Sequence, residues 1–186
     1  MTLQSSAMHD SLTGLANRAL LIDRLRLTLA RLHRRPERQF AMLIVDLGCV
    51  GCDAGSRESL LLEMTRRLHD QVRPEDTVAR LGENVFALLL DEAGKREDVE
   101  RIAERLHTVT RSPVLLGGKE VAFEVNIGAV VVTKEYAQAR DVVEAAEFAL
   151  AMAKADGNGQ HAFAPEPYTS GARIQPCLVS RRNPKS

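Results

Sequence analysis

The side chains best suited to chemistry stand in one short polar segment, residues 80–86, which reads Arg-Leu-Gly-Glu-Asn-Val-Phe. Glu83 and Asn84 offer oxygen ligands, and Gly82 permits a tight turn. A further acid, Asp46, closes an apolar run. Oxygen-bearing side chains beside a tight turn make this segment the candidate functional site of the chain.

Strands must position these residues. Two β-type runs, residues 76–79 and 86–90, flank the polar segment and predict a hairpin with that segment at its tip. Residues 40–47 form a continuous apolar run with one carboxylate near its end, which predicts a central, buried strand. Asp46 then lies at a strand end, where an acid could equally cap the following turn.

Four helices are predicted to cover the sheet, and Pro36 and Pro113 end two of them. A second hairpin, residues 114–127, and a short closing strand, residues 160–163, complete the predicted elements. The apolar positions of the four helices are Leu21, Leu25, Leu29, Leu32; Leu60, Leu61, Met64, Leu68, Val72; Val99, Ile102, Ala103, Leu106, Val109; and Val143, Ala146, Ala149, Leu150, Ala153.

Length and composition predict one soluble domain with a sizeable core. The chain has 186 residues, 45% of them hydrophobic and 27% charged, and its net charge is +0, which gives no basis for binding nucleic acid. No apolar run is long enough to span a bilayer, and no signal-peptide core opens the chain, so we expect a cytoplasmic protein. The predicted organisation is an N-terminal tail (residues 1–7), a domain (residues 8–164) and a disordered tail or linker (residues 165–186).

The cysteines give weak evidence for a metal site. Cys49 and Cys52 have the spacing of half a zinc site, but no second pair follows, and Cys177 lies in the irregular tail. We interpret all three as ordinary small side chains.

Several segments resemble GGDEF domains. Residues 10–18, Asp-Ser-Leu-Thr-Gly-Leu-Ala-Asn-Arg, match the family's opening Asp-x-Leu-Thr-Gly-Leu-x-Asn-Arg, and residues 80–86 keep the frame of its Arg-x-Gly-Gly-Asp/Glu-Glu-Phe hairpin. Residues 126–129 and 146–154 match later family segments, so the resemblance extends from about His9 to Phe163. It implies an α/β (α+β) fold: the ferredoxin-like nucleotidyl-cyclase arrangement, a central, mainly antiparallel sheet flanked by helices. In the family this site joins two GTP molecules into cyclic di-GMP.

The resemblance also implies roles for individual residues and shows where the chain departs from them. Asp46 matches the first metal-binding aspartate, and Lys154 matches a phosphate-binding lysine, whose nearby arginine partner is Asn158 here. The frame residues Gly82 and Phe86 are kept, whereas the residues between them, Glu83, Asn84 and Val85, replace a glycine and two acids. Because metal ligands are lost, we expect no catalytic residues, a vestigial Asp46, and no required cofactor; Mg²⁺ would enter only with residual nucleotide binding.

The guanine-reading loop departs from the family pattern as well. Residues 48–58 are several positions shorter, and Arg57 stands where a glycine precedes the family aspartate, with Glu58 in the aspartate's place. GTP is therefore expected to bind only weakly.

Arg73 and Asp76 match the Arg-x-x-Asp inhibitory site at which the family binds cyclic di-GMP away from the catalytic centre. Arginine can stack on guanine and fork to phosphate. The alternative is a helix end and turn with ordinary exposed charges. Family sites of this kind usually need a second arginine, often from a partner subunit.

Three functional hypotheses follow. The first is a catalytically inactive, regulatory module that binds cyclic di-GMP. The second is an interaction module that forms a homodimer or docks to an attached sensor or EAL phosphodiesterase domain. The third is a residually active diguanylate cyclase that makes cyclic di-GMP from two GTP through Asp46 and Glu83. The first two rank above the third.

Overall fold

The structure is a computed structural model that describes residues 7–50, 55–116, 118–157 and 159–165. Four helices and six strands follow one another in this part of the chain. In order they are α1 (Arg18–Arg34), β1 (Phe40–Val50), α2 (Arg57–His69), β2 (Thr77–Arg80), β3 (Val85–Leu90), α3 (Arg96–Arg111), β4 (Val114–Leu116), β5 (Lys119–Val132), α4 (Ala139–Ala155) and β6 (His161–Phe163).

The strands form one mainly antiparallel sheet in the order β2-β3-β1-β5-β4, with β6 added parallel to β5. β1 lies at its centre and pairs antiparallel with both β3 and β5. This register places Asp46 opposite Val85 on one side and Asn126 on the other. The central strand therefore brings the predicted acid beside the hairpin tip.

Residues of β1 alternate between two buried layers, as a strand with both faces covered requires. Ala41, Leu43 and Val45 pack into the layer under α2 and α3. The even-numbered residues Phe40, Met42 and Ile44 pack under α1 and α4. Asp46 continues the even series, so its side chain lies on the α4 face of the sheet.

Helix α4 packs very close to β5 because Gly128 has no side chain. A Cβ atom at this position would lie 2.2 Å from the Leu150 backbone nitrogen and 2.3 Å from the Ala146 carbonyl oxygen. Any larger residue would push the helix away from the sheet. This close approach sets the position of Lys154 at the end of α4.

The predicted fold class is confirmed, including the hairpin between β2 and β3, the buried central strand and the closing strand. Apart from residues 7 and 165, the predicted tails lie outside the described residues, as do the side chains of Cys49, Cys52 and Cys177. Among the described residues, no helix is long and apolar enough to cross a membrane.

His107 is a buried histidine on α3 that faces β6. It is 8% exposed. Burial, together with the positive charges of Arg111 and His161, lowers the pKa of His107 from 6.5 to about 4. The unfolded chain therefore binds a proton at a higher pH than the folded protein, and the folded state loses stability as pH falls through this window.

We expect the free energy of unfolding of the wild type to drop by about 2 kcal/mol between pH 7 and pH 5 because of His107 alone. His107→Leu should remove most of this difference, whereas His69→Gln, an exposed histidine on α2, should keep it. Urea unfolding followed by circular dichroism at both pH values measures the effect. An unchanged pH dependence in His107→Leu would contradict the assignment.

Candidate functional site

Arg80 fixes the shape of the hairpin tip. Its Nε donates to the Gly82 carbonyl oxygen at 3.0 Å, and its Nη2 donates to the Glu83 carbonyl oxygen at 3.1 Å. Its Nη1 lies 3.1 Å from both carboxylate oxygens of Asp10. The Arg80 side chain is only 15% exposed. One guanidinium group thus joins the tip to the N-terminal turn.

The N-terminal turn is built around the Asp10 carboxylate. Thr13 donates to it through its backbone nitrogen at 2.9 Å and its hydroxyl at 2.7 Å, and Gly14 follows with a φ of 70°. Burial alone would raise the pKa of Asp10, but the hydrogen bonds from Thr13 and Arg80 outweigh burial and lower it. Asp10 therefore stays ionised and paired with Arg80.

Asp46 is paired with Lys154. The Lys154 ammonium contacts the Asp46 carboxylate directly, and the two side chains are 48% and 20% exposed. The structure therefore brings together the two residues that sequence reasoning had linked to metal and phosphate. In this structure the Asp46 carboxylate is therefore paired with a lysine side chain of the same protein.

The acids needed for a two-metal centre do not gather around Asp46. Its neighbour on β3 is Val85, which has no oxygen ligand, and among the described residues no group of three or more His, Cys, Asp or Glu side chains could hold a metal ion. The main-chain carbonyl oxygen of Asn84 accepts the Leu47 backbone N–H at 3.0 Å, so this main-chain oxygen is used in backbone pairing. The donor set does not fit a pair of Mg²⁺ ions.

One carboxylate near this face was missed from the sequence. Glu124 on β5 lies opposite Gly48, two residues along each strand from the Asp46–Asn126 pair. Residues two apart on a strand share a face, so Glu124 and Asp46 lie on the same side of the sheet. Only the register between β1 and β5 could reveal this neighbour.

Glu83 points to a different partner. Its carboxylate contacts Arg57, the first residue of α2, in an ion pair with both side chains more than half exposed. Beside this pair lies a cavity of about 130 Å³. Its lining is Leu47, Arg57, Leu60, Leu61, Met64, Asn84 and Phe123. The structure thus pairs Glu83 with Arg57, and Asp46 with Lys154.

Arg73 and Asp76 line a separate groove of about 430 Å³ at the other end of the hairpin. Two further arginines on α3, Arg101 and Arg105, line the same groove. Their spacing of four residues places them on one helix face. From the sequence we expected a second arginine but could not name it. Because α3 packs beside the turn that precedes β2, Arg101 and Arg105 are the two candidates.

Asp76 also has a structural role. Its carboxylate accepts the backbone N–H of Arg73 and that of Asp91, each at 2.9 Å. Burial raises the pKa of Asp76 above its ordinary value, despite these two hydrogen bonds. Asp76 therefore closes the turn before β2 and ties it to the end of β3.

β1 continues past Asp46 to Val50, so this acid lies within the strand and not at its end as the sequence predicted. A central antiparallel sheet, an acid on its middle strand and an adjacent glycine-containing hairpin define a domain of the nucleotidyl-cyclase type. A family model described as "Diguanylate cyclase, GGDEF domain" matches residues 7–160. The chain belongs to the GGDEF family and hence to the proteins of cyclic di-GMP signalling.

Two curated relatives and one solved structure illustrate the similarity. The chain is 32% identical to the bifunctional diguanylate cyclase/cyclic di-GMP phosphodiesterase MucR of Pseudomonas aeruginosa over 91% of its own length and 25% of that protein's. It is 30% identical to the diguanylate cyclase TpbB of the same organism, over 88% of its own length and 39% of TpbB's. The GGDEF domain structure of TpbB superposes with a TM-score of 0.76 at 29% identity, covering 84% of this chain and 94% of that one. The chain thus spans well under half of these two relatives.

Arg80→Ala should lower the free energy of unfolding by at least about 2 kcal/mol, because it leaves the partly buried Asp10 and two tip carbonyls without their donor. Arg66→Ala is the matched control: this arginine pairs with Glu63 and Asp70, but its side chain is 61% exposed. The control should cost much less than Arg80→Ala, because exposed ion pairs add little to stability. Urea unfolding measures both variants, and equal losses would show that Arg80 is an ordinary surface arginine.

Proposed function

We propose that this GGDEF domain is catalytically inactive and acts as a regulatory module in cyclic di-GMP signalling. The observation that carries the proposal is that Val85, which has no oxygen ligand, lies opposite Asp46 where the family pattern has an acid. Cyclisation requires metal ions that activate a 3′-hydroxyl and neutralise a triphosphate. Here the hairpin offers no carboxylate directly beside Asp46 to hold such ions.

Loss of the hairpin acids would cost several kcal/mol of transition-state stabilisation, and hence at least a few powers of ten in rate. The residual-cyclase alternative required Glu83 to act with Asp46. Each of these acids instead has its own cationic partner, Arg57 and Lys154 respectively. Glu124 adds a carboxylate on the Asp46 face but replaces neither acid of the tip.

We infer that cyclic di-GMP binds in the groove beside Arg73. Three arginines line this groove, Arg73, Arg101 and Arg105, and arginine can stack on a guanine or fork to a phosphate. Acids line it as well, and Arg101 contacts one of them, Asp98, so a phosphate at Arg101 would compete with that carboxylate. Among the described residues, no hydrogen bond from the Arg73 guanidinium is found, so it is available to a ligand. Arg105 donates to the Gln71 carbonyl oxygen at 2.6 Å, which holds its side chain over the groove.

This groove supplies the additional arginines from within the same chain. Binding would therefore not depend on a partner subunit. A homodimer, or an attached sensor or EAL domain, would still transmit the signal that binding produces. The relative MucR is bifunctional, and this chain spans only 25% of it. This supports the proposal that binding here controls an activity in another part of a longer protein.

Purified protein should make no cyclic di-GMP from GTP with Mg²⁺ or Mn²⁺, because the tip lacks acids beside Asp46. Product analysis by chromatography after prolonged incubation measures this, with a no-enzyme control. Turnover above the control that disappears in Asp46→Ala would show that the site is active.

Arg73→Ala and Arg101→Ala should each weaken cyclic di-GMP binding at least about tenfold, since each removes a charge-assisted contact worth roughly 1.5–3 kcal/mol. Arg66→Ala, an exposed arginine outside the groove, and Asn84→Ala at the tip should leave binding unchanged. Isothermal titration calorimetry measures all four variants.

Two results would separate the remaining interpretations. If the wild type binds and Arg73→Ala binds equally well, the ligand occupies another site. If the wild type shows no binding at high ligand concentration, the result favours the hypothesis that the domain is an interaction module that binds no cyclic di-GMP.

A further inference from the structure

The short strand β6 is held by one face of α3 as well as by β5. The guanidinium carbon of Arg96 lies 4.0 Å from the centre of the Phe163 ring, and Arg111 donates to the Gly159 carbonyl oxygen just before β6. Four α3 side chains contact β6 or the turn before it, and their spacing along the helix places them on one face. They are Arg96, Glu100, His107 and Arg111.

The pairing of β6 with the sheet is limited. The strand has three residues, all half-buried, and among the described residues it pairs with β5 alone. The Ile127 amide donates to the Gln160 carbonyl oxygen at 3.0 Å, and the Ala164 amide donates to the Ala129 carbonyl oxygen at 2.8 Å. A short strand with so few bonds opens at a lower free energy than a central strand.

His107 is the buried member of this α3 face. Neither of its ring nitrogens forms a hydrogen bond with a described residue. The centre of its ring lies 5.7 Å from that of His161 on β6, with the two planes tilted by 39°. A proton on His107 would therefore create a buried charge against β6, and such a charge is costly without a partner of opposite sign.

The charged groups nearest to His107 do not supply that partner. Arg111 is positive, His161 becomes positive when protonated, and Glu104 is exposed. Burial, together with Arg111 and His161, lowers the pKa of His107 to about 4, and the nearby Gln160 backbone opposes this shift only weakly. Within the described part of the chain, His107 forms no ion pair with a carboxylate.

The remaining elements around α3 offer no acid to His107 either. Helix α2 presents Arg67, which donates to the Val109 carbonyl oxygen at 2.9 Å and pairs with Glu63. Glu100 lies 3.9 Å from the Nε2 atom of His161. The β5 residues in the layer under α3 are apolar: Val125, Ile127 and Ala129.

We propose that β6 is a proton-controlled latch: protonation of His107 releases β6 from β5 and α3 while the rest of the domain stays folded. Opening removes His161 and Gln160 from the His107 ring and admits water, which accommodates the charged ring. It also exposes the β5 edge at residues 127–129 and detaches the C-terminal end of the described domain. The latch goes beyond the proposed function, since it requires no nucleotide.

Opening becomes easier as pH falls. The open state binds a proton near pH 6.5, the ordinary pKa of histidine, whereas the closed state binds it only near pH 4. Between pH 7 and pH 5 the opening constant of β6 should therefore rise about 20-fold, and the rise should level off near pH 4.

Amide hydrogen exchange resolved by NMR measures this opening constant, once each rate is divided by the intrinsic exchange rate at the same pH. The Ile127 and Ala164 amides report on the pairing of β5 with β6, and the Ile44 amide in the central strand reports on global unfolding. At both pH values the two β6 reporters should exchange at least about tenfold faster than Ile44, relative to their intrinsic rates.

Four variants identify the residue that senses the proton. His107→Leu should reduce the rise to less than about threefold, because the titrating ring is gone. His107→Met serves the same purpose if the leucine variant does not fold. His161→Gln and His69→Gln, the latter at an exposed histidine on α2, should keep most of the rise because His107 remains.

The proposal is overturned if Ile127 and Ala164 exchange no faster than Ile44, because β6 would then open only with the whole domain. It is also overturned if the rise persists in His107→Leu or disappears in His161→Gln. None of these results depends on cyclic di-GMP binding, which calorimetry tests separately.

Discussion

The ion pair between Arg80 and Asp10 is the interaction on which the geometry of the site depends. It joins three parts of the chain: the N-terminal turn, the edge strand β2 and the hairpin tip. The Arg80 backbone nitrogen also donates to the Ala16 carbonyl oxygen at 2.8 Å, which covers the open edge of β2. Thr13 holds the Asp10 carboxylate in place, and this carboxylate orients the Arg80 guanidinium. The guanidinium in turn fixes the position of the tip backbone. The hairpin tip is thus held by contacts that do not involve the side chains of residues 83–85.

That scaffold surrounds a site in which charge is balanced within the protein. Asp46 is paired with Lys154, and Glu83 is paired with Arg57. A two-metal nucleotide site works differently, because clustered carboxylates repel one another until cations arrive, which gives the metal its affinity. Pairing within the protein offsets such repulsion. Under the proposed function, this domain keeps the fold while the reaction is lost, since function depends on the site rather than on the fold.

The sequence predicted the fold well because the relevant signals are local. Apolar spacing located the helices, alternation located the strands, and Asp46 at the end of an apolar run was correctly placed on the central strand. The side-chain partners of the site were not predicted, because they come from elements far apart in the chain. Glu124 depends on the β1–β5 register, and Arg101 depends on how α3 packs against the turn at Arg73. The double role of Asp76 likewise required the position of the Asp91 amide.

The two ends of one hairpin can evolve separately because each has its own anchor. The tip is held by Arg80 and Asp10, and the base is held by Asp76, which accepts from the backbone at Arg73 and Asp91. Strand β2 between them has 4 residues, which separates the two ends by roughly 13 Å at about 3.3 Å per residue. A substitution at the tip changes neither the hydrogen bonds nor the charges of the base. Under the proposed function, this domain loses chemistry at one end and keeps a binding groove at the other, and within the described part of the chain the two anchors share no side chain.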